Sequence, residues 1–148
     1  MSSFETRRPF TRADALAAGI SAKMLRGSRF RRIFRGVYVE ARVPDHPLVR
    51  ARAALLLHPA DAFVSHVTAA RVRGLPVPVH PDEHVTVSSA QDRRTRPGLR
   101  CHVGADEAVT TVAGVRVSSA AGMFVELASL SRWWTWLWSA THWSATGR

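Results

Sequence analysis

Between Phe10 and Val39 the spacing of apolar positions changes character twice. The text FTRADALAAGISAKMLRGSRFRRIFRGVYV begins with helical spacing, breaks at Gly19-Ile20-Ser21, resumes for one short helical stretch, and turns into β-formers from Phe30. Thr11 is placed to cap the first helix, with Arg12 and Asp14 in its first turn and Leu16 on its apolar side. Gly19 ends it. Ser21 caps a second helix from Ala22 to about Arg26, with Ile20 and either Met24 or Leu25 turned inward. Arg35-Gly36, set between Ile33-Phe34 and Val37-Tyr38-Val39, predicts a tight hairpin turn with glycine at positive φ. Alternation along the first strand places Arg31 and Ile33 on one face, Arg32 and Phe34 on the other. The predicted core is Phe10, Leu16, Ile20, Leu25, Ile33, Phe34, Val37 and Val39, with Tyr38 anchored and half-buried. Two short helices followed by a ribbon is the order of a winged helix-turn-helix, expected over residues 1–41.

From Pro44 the pattern alternates again between helical and strand-like stretches. Pro47 to Leu57 reads as a helix that stops at His58-Pro59, and Ser65 is placed to cap another from His66 to about Arg73, closed by Gly74-Leu75-Pro76. His84 to Ser88 and Leu99 to Val103 read as strands flanking a polar loop, and Val109 to Val117 as a hairpin around Ala113-Gly114. Ser118 or Ser119 opens a last helix through Met123, Phe124 and Leu127. Residues 44–130 therefore predict a small α+β domain, and the fold class is α+β throughout.

The stretch 131–148 fits neither period. All five Trp lie between Trp133 and Trp143. Trp has a single codon, so the neighbouring reading frame is constrained. Shifted by two nucleotides, with GC-rich third positions, that frame reads as a Val-, Asp- and Leu-containing helix continuing FVELASL. The expectation is an aberrant, frameshifted tail on a chain whose ancestor ran further.

Charge sharpens the picture of the first third. The chain carries a net +10, and the segment from Met1 to Arg42 holds ten Arg or Lys against three acids, +7 of that total. Such concentration favours a polyanionic partner, double-stranded DNA above all. Of the 21 basic residues only Lys23 is lysine, and arginine suits bidentate contacts to phosphate and guanine. In a helix-turn-helix the second helix enters the major groove with its N-terminal residues nearest the bases. Lys23 and Arg26 are assigned to base or phosphate contacts and Ser21 to a cap that also reaches phosphate. Arg29, Arg31, Arg32 and Arg35 are assigned to the ribbon, Arg35 at its turn being the best backbone or minor-groove probe.

Other chemistry is thin. Cys101 is alone, which excludes an internal disulfide, and no apolar run reaches the length that crosses a bilayer, so no membrane partner is expected and the cytoplasm is the default compartment. His80-Pro81-Asp82-Glu83-His84 gathers two His and two acids but sits among prolines without helical spacing, so no metal is expected there. Ser65-His66 sits at a helix start, where neighbours diverge, so a cap and a satisfied histidine are expected rather than a nucleophile and its base. Cys101 and His102 point to opposite faces of a strand. The isolated turn glycines make no phosphate loop. Neither an enzymatic activity nor a cofactor is expected.

The stretch GISAKMLRGSRFRRIFRGVYV resembles the N-terminal, winged helix-turn-helix domain of AbiEi-type antitoxins, through Gly19-Ile20-Ser21, Leu25-Arg26 and Gly36-Val37-Tyr38. The following part, with FVSHVTAARVRGLP, HVTV and TTVAGVRVSSAAGMFVELA, resembles what succeeds that domain in actinobacterial proteins, many of which continue into an endonuclease domain of the very-short-patch-repair type. A nuclease of that type needs clustered carboxylates and a Glu-X-Lys; this chain has no Glu-X-Lys, and its one lysine lies in the second helix. The resemblance implies a DNA-binding antitoxin of a type IV toxin-antitoxin system that represses its own promoter, paired with a nucleotidyltransferase toxin. Separately, one half-site read by so small a module would bind weakly, which favours a homodimer. The alternatives are a remnant of an endonuclease without its catalytic domain, and a protein-interaction module indifferent to DNA.

Overall fold

A computed structural model describes residues 4–104 and 108–130. The expected aberrant tail, 131–148, lies outside the described residues.

The N-terminal third consists of β1 (Phe10–Thr11), α1 (Arg12–Ala17), α2 (Ala22–Leu25), β2 (Phe30–Phe34) and β3 (Val37–Glu40). Thr11 caps α1 reciprocally: its Oγ1 accepts the Asp14 N–H, and the Asp14 carboxylate accepts the Thr11 N–H, both at 3.1 Å. Gly19, at φ +83°, turns the chain out of α1. The three strands pair antiparallel in the order β1-β3-β2, Phe10 opposite Tyr38 and Phe30 opposite Glu40. Phe10, Ala15, Leu25 and Phe30 form a small core, with Phe4, Ile20 and Tyr38 packed against it.

Leu16 is not in that core. It is 46% exposed, and Ala15 holds the inward position instead. A helix of six residues is less than two turns, so its apolar phase is set by how β1 and the Gly19 turn dock it, not by its own periodicity. On α2 the choice between Met24 and Leu25 falls to Leu25, which is buried.

The larger part contains α3 (Pro47–Leu55), β4 (Phe63–Val64), α4 (His66–Val72), β5 (Glu83–Val87), β6 (Leu99–Val103), β7 (Val109–Val112), β8 (Val115–Ser118) and α5 (Ala120–Ser129). Its five strands form a mixed sheet in the order β6-β5-β4-β8-β7. β5 and β6 run parallel, β4 and β8 parallel, and the remaining pairs antiparallel. Val64, Val85, Leu99, Cys101 and Val117 of the sheet meet Ala51, Ala54, Ala69 and Ala70 of α3 and α4 in one core. The whole is mixed α and β. A buried carboxylate ties these layers: Glu83 at the start of β5 accepts from Arg50 of α3 (2.7 Å), Thr68 of α4 (2.8 Å) and Arg71 of α4 (3.0 Å).

The two parts share the β2–β3 hairpin. The β2 register shifts between Arg32 and Phe34, so simple alternation fails there. Phe30 packs into the small core, whereas Phe34 and Val37 belong to the large one. The Arg50 guanidinium lies 5.6 Å over the Phe34 ring. The contact continues to Gly98, whose missing side chain makes room for that ring: a Cβ there would meet Phe34 at 3.3 Å, in a backbone at φ +80°. Gly98→Ala is expected to cost about 1–2 kcal/mol from the left-handed backbone alone, and more through the displaced ring. Gly114, at φ +77° in open space, carries only the backbone part. Comparing the two variants by thermal unfolding checks the difference.

Candidate nucleic-acid interface

Ser21 stands at the N-cap of α2, where its Oγ accepts the Met24 N–H at 3.2 Å. Lys23 lies within that single turn and Arg26 just beyond it, both exposed. Leu25, between them, packs with Phe30, so α2 rests on the strand that carries the other cations. Arg29 precedes β2, its guanidinium 5.4 Å over the Phe30 ring; Arg32 projects from β2 and Arg35 sits in the two-residue turn before Gly36. All three are exposed. Gly36 has φ +87°, as the hairpin requires, and its carbonyl accepts the Arg12 N–H at 2.8 Å, which seats the turn against the start of α1.

Arg31 must be removed from the set. Its guanidinium donates to the Val43 carbonyl (3.3 and 3.1 Å) and the Pro44 carbonyl (3.2 Å), and lies 3.8 Å from Asp45. It faces the segment leaving β3, opposite to Arg32, and secures that segment. The other five cations have no ion pair with any described acid. Two acids of this third are engaged elsewhere: Asp14 in the α1 cap, Glu40 with Thr6 and Arg42.

A second constellation lies in the large part, where sequence reasoning expected no chemistry. Ser65 and His66 do pair: Ser65 Oγ is 2.9 Å from His66 Nδ1, and Ser65 makes no side-chain cap to α4. The reason is backbone conformation. His66 adopts φ +50°, which swings its ring back toward Ser65 instead of away along the helix. Thr86 donates to Ser65 at 2.8 Å, and the His66 N–H donates to the Glu126 carboxylate at 2.6 Å.

Two strand histidines complete the group. The parallel register sets Thr86 beside His102 and His84 beside Arg100, so His84 and His102 share a sheet face. His102 Nε2 is 3.0 Å from His84 Nδ1, and the His66 and His102 rings stack at 4.0 Å. His66, His84 and His102 each offer one ring nitrogen, all within 4.8 Å of one another. Burial and the neighbouring His102 hold His66 down to about 4; burial and the facing His102, His66, His80 and Arg100 hold His84 down to about 3. The local grouping of His80 with Asp82, Glu83 and His84 is not a site: His80 Nδ1 accepts the Asp82 N–H, and Glu83 faces away toward Arg50 and Arg71. Period-two spacing in HVTV and RCHV was the available signal for the strand pair; nothing local announced their juxtaposition with His66.

No family model matches the chain, and no curated protein matches it. Among the described residues no helix is long and apolar enough to cross a membrane.

Proposed function

We propose that this protein is a double-stranded DNA-binding transcriptional regulator of the antitoxin type, with its N-terminal third acting as a winged helix-turn-helix. In this reading α2 enters the major groove and the β2–β3 hairpin lies along the backbone. Lys23 and Arg26 reach bases or phosphates, and Arg29, Arg32 and Arg35 neutralise phosphates. Ser21 orients the start of α2. The observation that carries the reading is the exposure of these five cations on α2 and the adjoining ribbon, without a described acidic partner. A merely solvated surface would intersperse both signs; here the stretch from Lys23 to Arg35 contains no acid. The regulator would occupy its own promoter as a homodimer and act beside a nucleotidyltransferase toxin.

The test is fluorescence anisotropy with a labelled duplex taken from the DNA upstream of the coding sequence. Lys23→Ala/Arg26→Ala removes two contacts and is expected to weaken binding on the order of 50-fold near 0.1 M salt. Arg31→Ala, which touches only the chain itself, is expected to leave the affinity within about twofold. Equal binding by wild type and the double variant overturns the proposal.

A further inference from the structure

We propose that His66, His84 and His102 form a binding site for one divalent first-row transition ion of the Zn²⁺ class. Three imidazoles from α4, β5 and β6 converge beside hydroxyls and one carboxylate, with the His80 ring 4.8 Å from that of His84 and Arg100 beside it on β6. Imidazole nitrogens suit borderline ions such as Zn²⁺, Ni²⁺, Co²⁺ and Cu²⁺ and not Mg²⁺ or Ca²⁺.

Four features of the cluster point to an ion. First, the spacing fits. Two nitrogens bound at Zn–N distances of about 2.0–2.1 Å in a tetrahedral site stand roughly 3.3 Å apart, and His84 Nδ1 and His102 Nε2 are already at 3.0 Å. Second, His84 is fully buried, yet its Nε2 has no hydrogen-bond partner among the described residues. A buried polar atom left this way normally signals a missing ligand or water. Only a ring turned so that Nε2 itself meets the ion supplies that partner.

Third, the surroundings are those of a supported ligand. With the proton on Nδ1 facing Ser65 Oγ, His66 presents the Nε2 lone pair. Thr86 in turn fixes Ser65. Glu126 accepts the His66 N–H at 2.6 Å and lies 3.9 Å from Nδ1, so it holds the residue from the side away from the ion. Fourth, the His66 backbone is held at φ +50°, in the left-handed region, a strained conformation for a non-glycine residue that persists where surrounding structure imposes it. What it achieves here is to aim the ring at the two strand histidines.

Ion entry requires the stacked His66 and His102 rings to splay. His102 lies on the edge strand β6 and is partly exposed, so it is the ring that moves. The three side chains leave a coordination position for water or a small anion, as open sites do.

The experiment is a titration of the full chain, stripped with EDTA, with Co²⁺ followed by its visible d–d absorption, then back-titration with Zn²⁺. Wild type is expected to bind one Co²⁺ per chain with the intense bands of a low-coordinate site, and Zn²⁺ to bleach them. His102→Ala, a change at a partly exposed edge position, is expected to weaken binding at least about 10-fold. His66→Ala should behave alike, and His46→Ala, at the exposed cap of α3, should bind as wild type. Circular dichroism confirms that each variant is folded. Absence of saturable Co²⁺ binding by the wild-type chain, or undiminished binding by His102→Ala, overturns the proposal. In either case the cluster is a neutral histidine stack that only joins α4 to the sheet.

Discussion

Glu83→Ala is expected to destabilise the protein by about 3–5 kcal/mol, the range for breaking a buried ion pair by removing one partner. The Glu83 side chain is 2% exposed, while Arg50 and Arg71 beside it retain only 25% and 22% exposure. Removing the carboxylate leaves two guanidiniums partly desolvated without their acceptor and the Thr68 hydroxyl without its own. Arg50 keeps a second acid, Asp45 at 3.5 Å, which moderates its share. Arg71 has Glu83 alone among the described acids. The loss falls on three elements together, because Glu83 joins β5 to α3 and α4 and α3 in turn supports Phe34. Glu83→Gln preserves shape and the Thr68 hydrogen bond and should lose markedly less. Urea unfolding of wild type and both variants measures this; a loss below about 1 kcal/mol for the alanine variant would mean that solvent already screens the triad.

The second large effect concerns salt. Five exposed cations that each neutralise a phosphate release counterions so that log Kobs falls against log salt with a slope of about −4 to −5. Between 50 and 200 mM salt the affinity for duplex DNA should therefore drop roughly 500-fold. Lys23→Ala/Arg26→Ala should flatten the slope by about 2, whereas Arg31→Ala should leave it unchanged. Anisotropy at four or five salt concentrations decides. A slope shallower than about −2 in the wild type would mean that most of these cations never reach the backbone.

The elements that could be read along the chain are those whose signal is local. Thr11 and Asp14 spell a capping box three residues apart, and Ser21 and Ser119 cap their helices for the same short-range reason. Arg35-Gly36 marks a turn because only a flexible backbone closes two adjacent strands so tightly. The strands around His84 and Leu99 and the hairpin around Ala113-Gly114 announce themselves through β-branched runs. β4 was not legible: two residues, Phe63 and Val64, carry no period, yet they occupy the middle of the larger sheet. Leu16 was misplaced because a helix under two turns long has no reliable face of its own.

The candidate sites divide the same way. The exposure of Lys23, Arg26, Arg29, Arg32 and Arg35 was legible because a cation on a short helix or an exposed ribbon stays at the surface whatever packs beneath. Arg31 could not be separated from them, since its partners belong to the segment 43–45, whose path depends on how the hairpin meets α3. The histidine cluster was hidden more deeply. His66, His84 and His102 come from a helix start and two parallel strands, and parallel pairing leaves no mark in local spacing.

By itself, then, the order of residues determined the alternation of helix and strand, the caps and turns, and the crowding of positive charge near the amino end, since each depends on neighbours a few positions apart. Tertiary packing alone decided that Arg31 turns back onto its own chain, which hairpin residues join which core, and which imidazoles meet, because each of those outcomes rests on contacts between residues far apart in the chain.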